Sequence, residues 1–301
     1  MSHFADRLAA AVKAAGNAVC VGLDPRWEKL PDPLRSSGRT STAAIADAYV
    51  SFCHGVIDVV ASVVPIVKVQ AAFFEELGPS GMAAMADVIL YAEACGLMVI
   101  VDGKRNDIGS TAEAYARGYL GREGSLWHAD ALTVSPYLGD DSLAPFIQIA
   151  NERSAGIFVL VKTSNPGGKF LQDLVCDGDV IYRRVAAHVE QQAAAHVGEC
   201  GYGAVGAVVG ATYPEQLLEL RQAMPHTWFL VPGYGSQGGT AADVVGALDA
   251  NGLGALVNNS RNLIFAHERP EYRKFGPARW QEAVEAATRR MIDELNSAIP
   301  E

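Results

Sequence analysis

Asp102, Lys104 and Asp107 carry the densest chemistry in this chain, in the run Val99-Ile-Val-Asp-Gly-Lys-Arg-Asn-Asp-Ile-Gly-Ser-Thr111. The run opens on apolar β-branched residues, the pattern of a buried strand. Alternation along that strand sends Asp102 and Lys104 to one face, with Asp107 following in the turn. Two carboxylates around one ammonium are costly at the end of a buried strand unless the charges offset one another. An ammonium held by carboxylates suits proton donation, whereas a Schiff-base lysine needs a free lone pair. A structural ion pair with a helix-start aspartate is the competing reading of the same residues. Ser110-Thr-Ala-Glu113 predicts a capping box and a helix beginning there.

Other positions offer grips for a substrate. Gly233-Tyr-Gly-Ser-Gln-Gly238 matches GxGxxG between a strand and a helix. A dinucleotide fingerprint belongs to the first βα turn of a half-sheet, and this run follows a late strand. Glycines there let backbone N–H groups and a helix N-terminus approach a phosphate, although a plain flexible turn would look the same. Arg261, after Asn258-Asn-Ser, can present forked donors to the same anion, and Gln237 can reach a neighbouring polar group. Asp24, Lys68 and Ser164 each fall near the end of a β-rich run. Their bland readings are a turn cap before Pro25, a snorkelling lysine and turn chemistry before Pro166-Gly. Arg105 and Asn106 read as solvent-exposed turn residues, while Trp127, His128, Phe73 and Phe74 read as packing.

These residues need a scaffold that gathers strand ends. After an amphipathic first helix, β-rich runs at 18–24, 64–70, 99–102, 129–135, 156–162, 205–210, 227–232 and 254–259 alternate with helical ones. The helical runs are 43–61, 79–95, 110–122, 141–152, 179–197, from Pro214, 240–250 and 279–296. The segment 25–40 reads as an exposed loop and 168–178 as a polar one. Repeated βα units of this count predict α/β class and a single (β/α)8 TIM-barrel domain over 1–301; an open doubly wound sheet is the runner-up. In a barrel, functional groups collect at the C-terminal ends of the strands.

Composition narrows the classes further. Half of the 301 residues are hydrophobic, 19% are charged and the net charge is −10, which favours a large buried core and argues against nucleic-acid or membrane surfaces. The five cysteines are scattered without a CxxC pair, as in a reduced cytoplasmic protein. The seven histidines form no HxH or HExxH, so no metal site is expected. The N-terminus does not read as a signal peptide, and the most apolar stretch, 56–69, is broken by Asp58, Pro65 and Lys68, so no membrane span is expected.

Asp102-Gly-Lys104-Arg-Asn-Asp107-Ile108-Gly-Ser-Thr111 resembles the DxKxxDI signature of the orotidine 5′-phosphate decarboxylase family. Lys68-Val-Gln-Ala-Ala-Phe-Phe-Glu75 and Val209-Gly-Ala-Thr212 are most similar to its longer bacterial, type 2 subgroup. The resemblance runs from Val21-Gly-Leu-Asp24 to Ser260-Arg261. It takes in Ser164-Asn-Pro-Gly and Pro232-Gly233-Tyr-Gly-Ser-Gln237-Gly238-Gly as pyrimidine and phosphate loops. Ser135-Pro-Tyr and Asn259 depart from the shorter subgroup.

The resemblance implies decarboxylation of orotidine 5′-phosphate to UMP and carbon dioxide, the last step of de novo UMP synthesis, with no cofactor. It implies that Lys68, Asp102, Lys104 and Asp107 form an alternating charged array, with Lys104 protonating C6 and Asp102 beside the substrate carboxylate. Asp24 and Lys68 would hold the ribose, Ser164 the pyrimidine edge, and Gln237 and Arg261 the phosphate. Asp107, Ile108 and Thr111 would reach into the partner's site of a homodimer. DxKxxD also occurs in sugar-phosphate decarboxylases of the same barrel suprafamily, which pass through an enediolate and generally want a divalent metal. A non-catalytic nucleotide-binding barrel and a nicotinamide-dependent enzyme built on GxGxxG also compete with this reading.

Overall fold

The eight apolar runs become eight parallel strands: β1 Val19–Leu23, β2 Ile66–Gln70, β3 Met98–Arg105, β4 Ala131–Val134, β5 Gly156–Lys162, β6 Val205–Val209, β7 Phe229–Val231 and β8 Ala255–Asn259. The computed structural model describes residues 2–35, 38, 40–235 and 237–299; Ser36, Ser37 and Arg39 of the 25–40 segment and Ser236 of the glycine-rich loop lie outside the described residues. Each strand pairs with its sequence neighbour, and β1 closes on β8 through Val19↔Val257 and Val21↔Asn259. That closure excludes the open doubly wound sheet.

The strands read as continuous apolar runs because both of their faces are covered. Inward side chains from Cys20, Ile66, Met98, Ile100, Phe158, Leu230 and Leu256 fill the lumen. Outward ones, including Val21, Val67, Val99, Leu132, Val159 and Val257, lie under the helices. Those helices are α2 Thr42–Val60, α3 Pro79–Ala94, α4 Gly109–Tyr119, α5 Ala144–Glu152, α6 Ile181–Ala195, α7 Pro214–Ala223 and α8 Trp280–Asn296, after the N-terminal α1 Phe4–Ala15. Helix α2 is long and apolar enough to cross a membrane by length and composition alone. In the fold it is a core helix, its Phe52 ring stacked between Trp280 at 5.1 Å and Phe265 at 5.5 Å.

Helix α1 plugs the N-terminal end of the barrel. Phe4, Leu8 and Val12 join the lumen cluster, and a Cβ at Gly156 would fall 2.3 Å from the Phe4 ring. Asp130, 1% exposed, pins this end: it accepts from Arg7 at 2.6 Å, from both Nε and Nη2 of Arg122 at 3.1 Å, and from the Val99 amide at 2.9 Å. Asp130→Ala removes the shared carboxylate of Arg7 and Arg122, which keep the Ser154 and Leu97 carbonyls, and leaves the buried Val99 N–H without its acceptor, so we expect a loss of about 2–4 kcal/mol of unfolding free energy. The opposite end of the barrel is untouched, so kcat should stay within about twofold. Denaturant unfolding alongside steady-state kinetics checks both.

Several local expectations give way to tertiary packing. The 25–40 segment is not simply exposed: turns of 3-10 helix at Trp27–Lys29 and Asp32–Arg35 bury Leu30 to 2% and lay Trp27 and Leu34 on the core. Their three- and four-residue spacing drives this, though polar neighbours mask it in composition. The capping box at Ser110 does not form. Helix α4 starts one residue earlier with Ile108 at its cap and no side-chain cap bond, so Ser110 already lies in the first turn, and Glu113 pairs with Arg117 instead. Asp107 takes the Ile108 amide at 2.8 Å, and Gly109, at φ 52°, turns the chain into the helix before Ser110 is reached. The 168–178 loop is not polar on its outside: it holds a one-turn helix, Lys169–Gln172, and a small antiparallel pair, Val175–Cys176 with Asp179–Val180, and exposes Phe170, Leu174 and Val175. The predicted 240–250 helix is only Ala241–Val244, followed by the 3-10 turn Val245–Ala247.

Candidate active site

The C-terminal ends of the strands open into a cavity of about 970 Å³. Asp102, near the end of β3, is its electrostatic centre. One carboxylate oxygen accepts from Lys68 Nζ at 2.8 Å and Gln70 Nε2 at 2.9 Å; the other accepts from Lys104 Nζ at 2.6 Å and Thr133 Oγ1 at 2.8 Å. Burial by itself would push this carboxyl up, but the Lys68 and Lys104 ammoniums outweigh it and hold Asp102 well below the usual carboxylate range. Burial would likewise push Lys68 down, yet Asp102 and Asp24 hold its ammonium above the usual lysine range. Both groups are therefore charged at neutral pH. Asp24 Oδ1, at the end of β1, lies 3.9 Å from Lys68 Nζ and has no hydrogen-bond donor within the described residues. Within one chain the charges thus alternate as Asp24, Lys68, Asp102 and Lys104.

Simple strand alternation does not produce this arrangement. Val101 pairs with Leu132 and Arg105 with Val134, so three residues of β3 face only Thr133 on β4. The strand bulges, and Lys104 takes φ 45°, in the left-handed region that non-glycine residues avoid. Two bonds hold the bulge: the Lys104 amide donates to Thr133 Oγ1 at 2.9 Å, and Arg105 Nη1 donates to the Gly103 carbonyl at 2.8 Å. Arg105 is accordingly not a free turn residue; it also pairs with Glu75 and donates to Tyr119 Oη at 3.0 Å.

The expected pair of carboxylates around Lys104 is not found within the chain. Asp107 makes no ion pair with Lys104 among the described residues, and its carboxylate is turned to its own neighbour's amide. Ile108 is 57% exposed, Thr111 is exposed, and none of Asp107, Ile108 and Thr111 lines the cavity. The second ammonium at Asp102 is Lys68, so one carboxylate sits between two cations.

The opposite wall is built from Ser164, Pro232, Gly233, Gln237 and Arg261. Thr212 Oγ1 donates to the Ser164 carbonyl at 3.1 Å, and a Cβ at Gly210 would fall 2.7 Å from Ser164 Cα, so only glycine lets the two strand ends approach. Gly233, at φ 101°, turns the chain along the cavity edge. Gly238 stands apart from the wall, its amide donated to the Gly235 carbonyl at 3.0 Å. The helix after this loop carries its own capping box between Thr240 and Asp243, so its N-terminus is already served. The amides of Gly235, Gly238 and Gly239 are donated within the loop, so an anion here would be met by the side chains of Gln237 and Arg261.

Three cavity residues escape a reading of the sequence. Gln70 lies two positions after Lys68 on the same strand face, a signal that the spacing does carry. Thr133 is a lone hydroxyl in an apolar strand. Asn258, in β8, lines the cavity with its side-chain oxygen unpaired among the described residues and 5% of its surface exposed. No group of three or more metal-ligating His, Cys, Asp or Glu side chains occurs among the described residues.

A closed barrel of eight βα units, with a buried alternating charge array across its mouth from a glycine- and arginine-bearing wall, defines a (β/α)8-barrel enzyme. Residues 17–274 match the family described as orotidine 5′-phosphate decarboxylase / HUMPS. An orotidine 5′-phosphate decarboxylase of Rhodopirellula baltica is 57% identical over 300 residues, covering 98% of this chain and 99% of its own. Among solved structures, Leishmania donovani OMP decarboxylase is 34% identical with a TM-score of 0.76, covering 99% of this chain and 98% of that one. Leishmania donovani UMP synthase is 35% identical with a TM-score of 0.78; this chain spans 57% of its length. The chain belongs to the orotidine 5′-phosphate decarboxylase / HUMPS family.

Proposed function

We infer that this protein is a carboxy-lyase that converts orotidine 5′-phosphate to UMP and carbon dioxide, the closing step of UMP synthesis. The observation that carries the reading is the Asp102 carboxylate, held at 2.6–2.8 Å by the ammoniums of Lys104 and Lys68 at the mouth of this family's barrel.

The chemistry follows from what decarboxylation needs. As the bond from C6 to the carboxylate breaks, carbon dioxide leaves and the electron pair stays on C6, where the pyrimidine ring offers no position to spread it. A fixed ammonium beside that carbon stabilises the developing charge. Lys104 supplies it and then delivers the proton that forms the C6–H bond of UMP; solvent reprotonates the amine. Asp102 lies beside the departing carboxylate and keeps Lys104 aimed. Asp24 and Lys68 hold the ribose hydroxyls; Asp24 Oδ1, which accepts no hydrogen bond among the described residues, supports that role. Ser164 meets the pyrimidine edge, and Pro232, Gly233, Gln237 and Arg261 line the wall around the phosphate, while Gly238, set back from the cavity, shapes the loop that carries Gln237. Phosphate binding energy can then be used at the reacting carbon.

The active protein is a homodimer in which Asp107, Ile108 and Thr111 enter the partner's site. Support comes from their place on the rim outside their own cavity and from the exposed Ile108. Asp107 of the partner would complete the array beside Lys104. The enzyme works in the cytoplasm, a reading supported by its five free cysteines, and it uses no metal or organic cofactor and no nucleic-acid or membrane partner.

Purified protein given orotidine 5′-phosphate and excess chelator should release UMP and carbon dioxide in equal amounts, at the rate seen without chelator. Loss of activity on chelation would point to the metal-assisted sugar-phosphate chemistry of related barrels. Tight UMP binding with no turnover would make it a nucleotide-binding barrel instead.

A further inference from the structure

We propose that Thr133 is a positioning residue for the decarboxylation, a single hydroxyl that locks the backbone of Lys104 to the carboxylate of Asp102. The inference rests on Lys104 and Asp102 acting as argued above.

Thr133 occupies the position on β4 that faces the whole three-residue bulge of β3. A threonine hydroxyl has one proton to give and two lone pairs to accept with. The Lys104 amide can only donate, and the ionised Asp102 carboxylate can only accept. The hydroxyl proton therefore has one destination, Asp102 Oδ1 at 2.8 Å, and a lone pair receives the Lys104 N–H at 2.9 Å. The same Asp102 oxygen accepts from Lys104 Nζ at 2.6 Å. Backbone and side chain of one lysine are thus tied to one carboxylate oxygen through a closed ring of hydrogen bonds.

The lysine needs such a tie. At φ 45° its backbone is strained, and nothing intrinsic keeps it there. Arg105 holds the preceding carbonyl, while Thr133 holds the amide of Lys104 itself. Thr133 is 1% exposed and its β-branched side chain is stiff, so it anchors the lysine from beneath and has almost no surface to give a substrate. The ammonium is far freer, with 49% of the Lys104 side chain exposed, so its aim depends on where its own backbone and Asp102 are fixed.

The test compares Thr133→Val, which keeps shape and removes the hydroxyl, with Thr133→Ser, which keeps the hydroxyl. Misaiming a charge used in the transition state lowers kcat without touching the ribose and phosphate contacts. Thr133→Val should therefore lose at least about tenfold in kcat with KM within about threefold of the parent. Thr133→Ser should return kcat to within about threefold of the parent. A loss in kcat below tenfold, a rise in KM that matches it, or a serine variant no better than valine would overturn the proposal. Should the valine variant fail to fold, Thr133→Ala is read against the same limits. Lys104→Ala, measured in parallel, separates the two claims. If it keeps turnover, the reading of the site fails; if it is inactive while Thr133→Val is unimpaired, only the role of Thr133 fails.

Discussion

Lys104→Ala is expected to abolish nearly all turnover while leaving UMP affinity within about tenfold of the parent. The substitution removes the proposed proton donor and one of the two ammoniums on Asp102, yet leaves the cavity wall of Ser164, Gln237 and Arg261 intact. Asp102 still has Lys68, Gln70 and Thr133 as donors, so no buried carboxylate is orphaned and the protein should fold. The expected loss is large because the ammonium acts on charge that exists only in the transition state, where electrostatic stabilisation is strongest. Steady-state kinetics and UMP titration check the two halves separately. Retention of more than about 1% of kcat would place the proton donor elsewhere.

Asp107→Ala should be inactive by itself and should regain activity when mixed with Lys104→Ala. The physical ground is that Asp107, Ile108 and Thr111 lie on the rim beyond their own cavity, while Lys104 lies within it. In a two-fold dimer, what one chain gives its partner it also receives. A heterodimer of the two variants then carries one site with both defects and one with neither. Unfolding and refolding an equal mixture makes about half of the dimers mixed, so roughly a quarter of sites should recover. Mixing is verified with differently tagged chains. No recovery in proven heterodimers would mean that Asp107 acts within its own chain, and the shared site would be withdrawn.

The barrel is legible in the sequence because its causes are local and periodic. Strands covered on both faces leave unbroken apolar runs, and helices leave a period of 3.6, so all eight βα units can be counted along the chain. β5 Gly156–Lys162 even begins and ends where its run does. Placing the site at the strand ends follows from the same count, and it brings Asp24, Lys68, Asp102, Lys104, Ser164 and Arg261 to one cavity. The motifs also show which residue types could do chemistry there.

What stays hidden depends on contacts between residues far apart in sequence. Linear spacing sets Lys104 between Asp102 and Asp107, but adjacent strands bring Lys68, 34 residues away, to Asp102 as the second charge. A capping box at Ser110 is good local chemistry, and it loses to a turn at Asp107–Gly109 whose position is set by the bulged end of β3. The bulge itself has no sequence signature, because Gly103 would be equally at home in a regular strand end. It exists because Thr133 of the next strand and the Arg105 guanidinium catch the two sides of the Gly103–Lys104 peptide. Residue types and their order along the chain determined the barrel and the chemistry it can carry. Which ammonium meets which carboxylate was decided by register between strands, since a hydrogen bond is set by distances of a few tenths of an ångström that no linear spacing encodes.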